Sequence, residues 1–493
     1  MTRLSDKEVK KKMQPIFHKD YNKHYPTKTL KELGYERYKC ENCDTPFWSR
    51  TERKYCGEPI CSGGYRFIGK KLTRKQFSYR DAWKTFSRTL EKHGYTEIRR
   101  YPVVSRWYDE LYFTTASINC FQPYVVRGEA EPPANPLVIP QFCLRFPDIE
   151  HVGMTGRHYT GFIMPGQHAF NTAKQVFTKE KALHHIFDFI VQGLGIDPER
   201  VIFQEDIWAG GGNFGPALEY FSEGLELGNQ VYMDYTQTKG GYEELENKVL
   251  DHGGGLERYA WFSQGTPTSY DAVFPHVLEK MYKQTGIRPS RKWHKVGKYV
   301  VYFEGQGGWK QIAEKTGYSI RTLEDEILPI RDLYVLADHS RALLFAMTDG
   351  ALPSNVGGGH NIRNILRRCF YILEKRDFDL SVPELLRWHL EEIGTWFTEL
   401  QMGPSLSEII QVEKERYKKN KRKARKLLEK TKAPTVQKMI ELYDTHGIQP
   451  ETMRSQGWDV PDDFYERLDE LHEEQKERKE EEEFTLTGVK ETK

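Results

Sequence analysis

The stretch Asp251-His252-Gly253-Gly254-Gly255-Leu256-Glu257-Arg258 decides how this chain is read. Glycines in a row let backbone pass close to a bound ligand, because no Cβ intervenes. Directly after them Gly255-Leu256-Glu257-Arg258 opens a predicted helix, with Tyr259, Trp261 and Phe262 beginning an apolar face. Arg258 is thereby delivered beside that backbone. A guanidinium is always charged and stacks on flat rings, which suits a nucleotide. Glycines before a helix are common, so the flanking segments must carry the rest of the argument.

The bulk numbers narrow the field. At 493 residues the chain holds two to four domains, each long enough for its own core. Formal net charge is only +2 although 29% of residues are charged, so any nucleic-acid surface is local. Aromatic residues make up 13%, which argues for folded domains over disorder. No apolar run approaches the roughly 18 residues of a membrane span, and the start, MTRLSDKEVKKKMQ, lacks a signal peptide's apolar core. A cytoplasmic enzyme or nucleic-acid-binding protein with no membrane association is expected.

Working outward, residues 1–39 are rich in Lys and Tyr, with Leu4, Val9 and Phe17 too sparse to predict a helix. From Ser78 to His93 a helix is predicted, since Trp83, Phe86 and Leu90 share a face and Gly94 follows as a stop. Thr96-Glu97-Ile98-Arg99-Arg100-Tyr101-Pro102 reads as a strand ended by proline. Another helix fits 178–194, and 200–275 alternates strand-like runs with glycine loops. Strands mixed with helices, without βαβ repeats, predict an antiparallel α+β domain. Beyond about 330 the pattern turns helical, over 331–348 and 360–375, interrupted by Leu352-Pro353-Ser354-Asn355-Val356-Gly357-Gly358-Gly359. The span 414–432 carries 11 Lys or Arg among 19 residues.

Several constellations carry chemistry. Cys40-x2-Cys43-x12-Cys56-x4-Cys61 offers two short-range thiolate pairs, the donor set of a closed structural zinc site. Four reduced thiols without metal is the plainer alternative. Arg145 closes an apolar strand, Phe142-Cys143-Leu144-Arg145-Phe146, and a polar loop leads to a returning strand, Arg157-His158-Tyr159-Thr160-Gly161-Phe162-Ile163-Met164. A buried arginine needs an anionic partner, either a ligand or a local carboxylate. Trp208-Ala209-Gly210-Gly211-Gly212-Asn213 reads as a glycine loop with Trp208 as a pocket wall or a core anchor, and Asn229 is a polar residue in a strand. Arg363 and Arg367 stand at i, i+4 on one helix face and, with 414–432, suit phosphates. The sequence displays no Ser/His/Asp triad, no His-Glu-x-x-His and no Gly-x4-Gly-Lys-[Ser/Thr].

Taken together these pieces resemble the alanyl-tRNA synthetase family, in the branch with an amino-terminal cysteine module. The stretches carrying the resemblance include EPPANPLVIPQFCLRFPDIEHVGMTGRH, GQHAFN, WAGGGNFGPALE, GLELGNQVYMDY, GGGLERYAWFSQGTPTSYDAVFP and LPSNVGGGHNIRNILRR. The resemblance implies a six- or seven-stranded class II synthetase sheet flanked by helices, followed by an all-α tRNA-recognition domain. The implied division is 1–65 for the cysteine module, 66–290 catalytic, 291–330 connector, 331–470 helical and 471–493 charged linker. Motif 1 falls on the helix near 78–93 and its strand, motif 2 on the strands around 147–156, and motif 3 on the opening segment. Motif 2 departs from the family pattern, with Pro147 where an acid is usual and Asp148 one position later.

Carried onto this sequence, the family's chemistry is activation of alanine by ATP with Mg²⁺, then transfer to the terminal adenosine of tRNA(Ala). Arg145, Asp251 and Arg258 become the catalytic residues. Arg157, His158, Phe162, Glu219 and Gly255 join Arg145 and Arg258 around ATP, with Glu219 or Glu226 holding the Mg²⁺. Trp208, Asn229, Asp251 and Gly253 shape the alanine pocket, with Asp251 pairing the ammonium. Asn355 and Asp444 match the positions credited with reading a G·U wobble pair in the acceptor stem, backed by Arg363 and Arg367. Fewer than 30 residues follow Tyr465 and no His-x3-His occurs, so a cut chain without editing, monomeric for lack of the family's dimerising region, is expected. A tRNA-binding paralogue that has lost activation is one competing reading; a synthetase-like ligase charging another small acceptor is the other, and it would be expected to lack the basic surface at 414–432.

Overall fold

The computed structural model describes residues 4–471 except 110, 173, 239–240, 306, 429–433, 447, 449, 462, 465–466 and 469–470. Most of the expected linker, 472–493, therefore lies outside the described residues.

Nine strands form one sheet: β1 (Glu36–Lys39), β2 (Pro46–Ser49), β3 (Thr96–Glu97), β4 (Leu137–Leu144), β5 (Gly161–Asn171), β6 (Val201–Gly210), β7 (Asn213–Ser222), β8 (Leu225–Thr238) and β9 (Gly241–Gly254). Their order is β1-β2-β6-β7-β8-β9-β5-β4-β3. Every pairing is antiparallel except β3 with β4. The sheet is two or three strands wider than the resemblance implied. The reason is that the cysteine hairpin does not stand alone: β2 pairs with the edge of β6 at Phe47–Gln204 and Trp48–Phe203. Docking there supplies the core that a segment so short cannot build for itself. A buried carboxylate, Glu205, fastens the junction by accepting from Arg37 Nε at 2.7 Å and Trp48 Nε1 at 2.8 Å.

The motif 1 strand is shorter than its sequence suggested, since only Thr96 and Glu97 are paired as strand. The preceding helix, Tyr79–Glu91, starts where the serine predicted: Ser78 Oγ accepts from Asp81 N at 3.1 Å. Two expectations fail. The glycine loop after Trp208 is a hairpin, with β6 and β7 joined by a tight turn at Gly211 and Gly212, both at positive φ. The amino terminus is helical over Asp6–Lys19. Its sequence signals were a capping box between Ser5 and Glu8 and a stripe of Val9, Met13 and Phe17, all buried.

The predicted helix at 331–348 is the end of a longer one, Ile320–Thr348. It lies in the same core as the sheet rather than in a separate layer. Phe345 stacks on Phe142 of β4 with centroids 3.7 Å apart, and both carboxylate oxygens of Asp338 accept from Thr160 N at 3.1 Å. One apolar cluster consequently runs from Val9 to Tyr417, crossing the expected boundaries at 66, 291 and 331. A distinct small core, including Met439, Leu442, Met453 and Phe464, forms beyond it. Among the described residues no helix is long and apolar enough to cross a membrane.

Candidate active site

Register places the expected residues on one face of the sheet. Phe162, His168, Asp251, Gly253, Asn229, Glu219 and Trp208 follow one another across β5, β9, β8, β7 and β6 through direct or alternating pairs. Their face carries a cleft of about 290 Å³ lined by Arg145, Arg157, His158, Phe162, Glu226, Asn229, Gly253 and Arg258, among others. Arg258 arrives from the helix Leu256–Gln264, which is separated from the end of β9 by Gly255 alone. That helix forms because its other face buries Tyr259, Ala260, Trp261 and Phe262 completely. Burial of each aromatic contributes roughly 1.5–3 kcal/mol.

The glycines of the opening segment divide their work. A Cβ on Gly253 would meet Met164 Sδ at 2.9 Å inside the cleft, whereas one on Gly254 would strike the Tyr259 hydroxyl at 2.0 Å. Gly253 therefore keeps the cleft wall uncrowded beside Met164, and Gly254 clears space for core packing.

Three guanidiniums converge on this cleft, and two of them are already paired. Arg258 Nη1 lies 2.7 Å from Glu226 Oε2, and Arg157 forks onto Glu304 with Nε donating to Oε1 at 2.7 Å. Arg145 differs. Its Nε donates to the Thr115 carbonyl at 2.9 Å and its guanidinium lies 5.0 Å over the Phe162 ring, but no carboxylate among the described residues pairs with it. The local carboxylate that sequence reasoning allowed for is absent among those residues.

The acids sort themselves by environment. Burial pushes Glu226 up, yet Arg258, Arg157 and Arg145 together hold it below the usual carboxylate range. Glu219 is pushed well above that range by burial, with Glu226 adding repulsion, and its Oε2 accepts from Gln204 Nε2 at 3.3 Å. Glu226 lines the cleft, whereas Glu219, Trp208 and Asp251 share the face without bordering it. Asp148 borders the cleft on left-handed backbone, with φ 59°. His158 is held neutral by burial, then by Arg157, and its Nδ1 lies 2.7 Å from Thr155 Oγ1.

Asp251 is the outlier. Its residue is 5% exposed, burial alone pushes its carboxyl up to about 7, and no cation among the described residues lies against it. The nearest ionisable contact is Nδ1 of a neutral histidine, His168, at 3.4 Å from Oδ1. An isolated carboxylate is costly to bury, so a site built this way anticipates a cation from outside.

Farther along the chain the residues expected to contact tRNA fare differently. Asn355 is exposed on the loop before the helix Gly357–Arg376. Arg363 is not the free surface cation expected: it is buried, forks onto Glu413 at 2.9 and 3.0 Å, and donates to Asn355 Oδ1. Arg367 is also buried, and proximity to Arg363 adds to the effect of burial in lowering its pKa. Asp444 belongs to the helix Val436–His446 rather than a loop, and its side chain lies outside the described residues. The basic face of Pro404–Leu428 exposes Lys414, Arg416, Lys418, Lys419 and Arg422.

The four cysteines meet. Their Sγ atoms lie within 4.8 Å of one another, with Cys43 and Cys56 3.7 Å apart. Zinc–sulfur bonds of about 2.3 Å in a tetrahedron separate sulfurs by about 3.8 Å, so the group fits the ion.

Sequence reasoning missed the residues that hold the motifs together. Glu257, beside Arg258, is 2% exposed and accepts from Tyr79 Oη at 2.7 Å, Ile163 N at 3.0 Å and Arg341 Nη2 at 3.0 Å. It thereby joins the motif 1 helix, β5, the motif 3 helix and Ile320–Thr348. Glu304, from the connector, is the other omission. No spacing in the sequence signals either pairing.

Fold and site together define a class II aminoacyl-tRNA synthetase core, and the chain belongs to that family: tRNA synthetases class II (A) match residues 82–301 and 309–492. Among individual proteins it is similar to the alanine–tRNA ligase of Methanocella arvoryzae, 51% identical over 97% of this chain and 56% of that protein. The alanine–tRNA ligase of Nitrosopumilus maritimus is 38% identical over 98% of this chain and 56% of its own length. That of Cenarchaeum symbiosum is 39% identical over 92% and 52%. The chain thus spans about half the length of the curated relatives it matches.

Proposed function

We propose that this chain activates alanine with ATP and transfers it to the terminal adenosine of tRNA(Ala). The observation that carries the reading is a pair of unmet charges on one sheet face. Arg145 lacks an anion and Asp251 lacks a cation among the described residues. A small amino acid offers a carboxylate to the first and an ammonium to the second. Asn229 and Gly253 are cross-strand partners that both line the cleft, and a Cβ at 253 would crowd Met164, so this wall suits a short side chain.

The residues then divide the first step. The alanine carboxylate oxygen attacks the α-phosphorus of ATP, the bond to the β-phosphate oxygen breaks, and pyrophosphate leaves with its electron pair. Negative charge builds on the phosphate oxygens, so fixed cations are the main catalytic device. Arg145 meets the α-phosphate and the attacking carboxylate. Arg258 and Arg157 hold the nucleotide's triphosphate once their carboxylate partners are displaced. Phe162 supplies an aromatic face to the base. Mg²⁺ would offset phosphate charge, and Glu226 would hold it in preference to Glu219, because Glu226 lines the cleft and its pKa is held low.

For the second step, Asn355 and Asp444 would read the G·U pair through the guanine amino group in the minor groove. Arg363 supports this reading indirectly, by holding the amide oxygen of Asn355 in place. Alanine-dependent exchange of pyrophosphate into ATP is the test. Exchange with alanine is expected, and its complete absence with folded protein would leave only the tRNA-binding reading.

A further inference from the structure

Beneath the cleft, on the same face of the sheet, runs a buried polar chain that no motif announces. Pairing of β5 with β9 sets His168 opposite Asp251, with Nδ1 3.4 Å from Oδ1. On the other ring edge Nε2 is 2.9 Å from Ser117 Oγ, carried by the turn Ser117–Cys120. His168 and Ser117 are both fully buried, and Phe121 stands edge-on to the ring at 5.2 Å. A Cβ at position 166 would meet both Nε2 and Oγ at 2.6 Å, so Gly166 leaves the gap in which they touch. The order is serine, histidine, aspartate. With its hydroxyl sealed in the core, however, Ser117 is no nucleophile.

The ring chemistry assigns a direction to this chain. Burial pushes His168 down to about 3, against the pull of the Leu250 carbonyl, so it is neutral and carries one N–H. With the Ser117 hydroxyl donating to Nε2, that N–H falls on Nδ1, the edge that faces Asp251. Nδ1 has no hydrogen-bond partner of ordinary geometry among the described residues, and the Leu250 carbonyl beside the ring competes with Asp251 for its proton. The other groups facing Asp251 cannot replace it. Val231 stands opposite on β8, and Cys143 on β4 is a thiol whose pKa burial pushes up; His252, next along the strand, turns to the other face, where its Nε2 lies 2.9 Å from Tyr220 Oη.

We propose that His168, anchored by Ser117, is the positioning residue that aims the Asp251 carboxylate at the amino group of the substrate. Nδ1–H engages one carboxylate oxygen, stabilising the ionised form and leaving the other oxygen for the ammonium. The proposal rests on Asp251 being the ammonium partner.

Pyrophosphate exchange measured between about pH 6 and pH 9 on the full chain tests it, with ATP and alanine varied separately. In the parent protein the alanine KM rises as pH falls through the Asp251 titration. For His168→Phe the midpoint of that rise moves upward by at least about half a pH unit, and the alanine KM near neutrality rises roughly tenfold, as expected for loss of one charge-assisted hydrogen bond. The ATP KM stays within about twofold. His168→Asn, whose amide nitrogen takes the place of Nδ1, restores most of the midpoint. Ser117→Ala shifts it in the same direction by less, and carries the test if the phenylalanine variant does not fold. An unchanged midpoint and alanine KM in the folded variants overturns the proposal. Asp251→Asn separates the two ideas: if it leaves the alanine KM untouched, the ammonium assignment itself is wrong.

Discussion

At the scale of single residues, Asp251 shows how a binding site stores instability. Its carboxyl is pushed up to about 7 in the folded chain, against about 3.9 for an unfolded aspartate. Between those values the folded chain keeps a proton that the unfolded chain releases. This contribution to stability is therefore fully present near pH 4 and is lost as pH rises towards 7. Asp251→Asn removes the titration. The variant is expected to be more stable than the parent above pH 7, by on the order of 2 kcal/mol, and to lose alanine-dependent exchange. Thermal melts at pH 4.5 and 7.5 check this, because the gain must shrink at the lower pH. A variant that melts below the parent at pH 7.5 would contradict it. Arg145 differs from Asp251 in being exposed, so its lack of a carboxylate partner among the described residues costs little, and its position at a strand end was legible as an isolated charge in an apolar run.

At the scale of elements, strands deliver the site residues and a buried ion pair locks the strands to their helices. Glu257 sits one residue before Arg258, yet it faces the core and binds Arg341, 84 positions away. Removing one partner of a buried pair leaves an uncompensated charge, which typically costs about 3–5 kcal/mol. Glu257→Ala should lower the urea midpoint accordingly, while Glu257→Gln, which keeps acceptors for Tyr79 and Ile163, should lose less. Equal losses in the two variants would locate the effect in packing rather than charge. The helix carrying Glu257 was predictable from its apolar spacing. Its partner was not, because nothing in local spacing records which distant arginine a folded core will bring near.

At the scale of the whole molecule, the amino-terminal hairpin and the loop carrying Asn355 are the two parts whose behaviour can be separated from the proposed activation. The Cys40, Cys43, Cys56 and Cys61 group should bind one zinc ion per chain, and stripping it with a chelator, or Cys40→Ser, should accelerate amide exchange in β1 and β2. Exchange in β8 and β9, central in the sheet, should remain slow. Uniform loosening of the sheet would argue that the metal supports the entire fold. Asn355→Ala should reduce tRNA charging by about ten- to a hundredfold, the range for one lost base contact, and leave alanine-dependent exchange intact. Equal damage to both rates would remove Asn355 from recognition.

What the sequence determined by itself was local chemistry. The glycine-strand-to-helix step with Arg258, the strand-terminal Arg145, the cysteine spacing and the capped motif 1 helix are each written within a few residues, where periodicity and backbone freedom act. Tertiary structure alone decided which charges meet. It filled the arginine forks with Glu226 and Glu304, withdrew Arg363 into a buried pair, merged the cysteine hairpin into the sheet, and set His168 behind Asp251. The physical reason is that pairing across a sheet or core depends on register between segments far apart in the chain. Register is set by the burial of whole faces, which no single motif encodes.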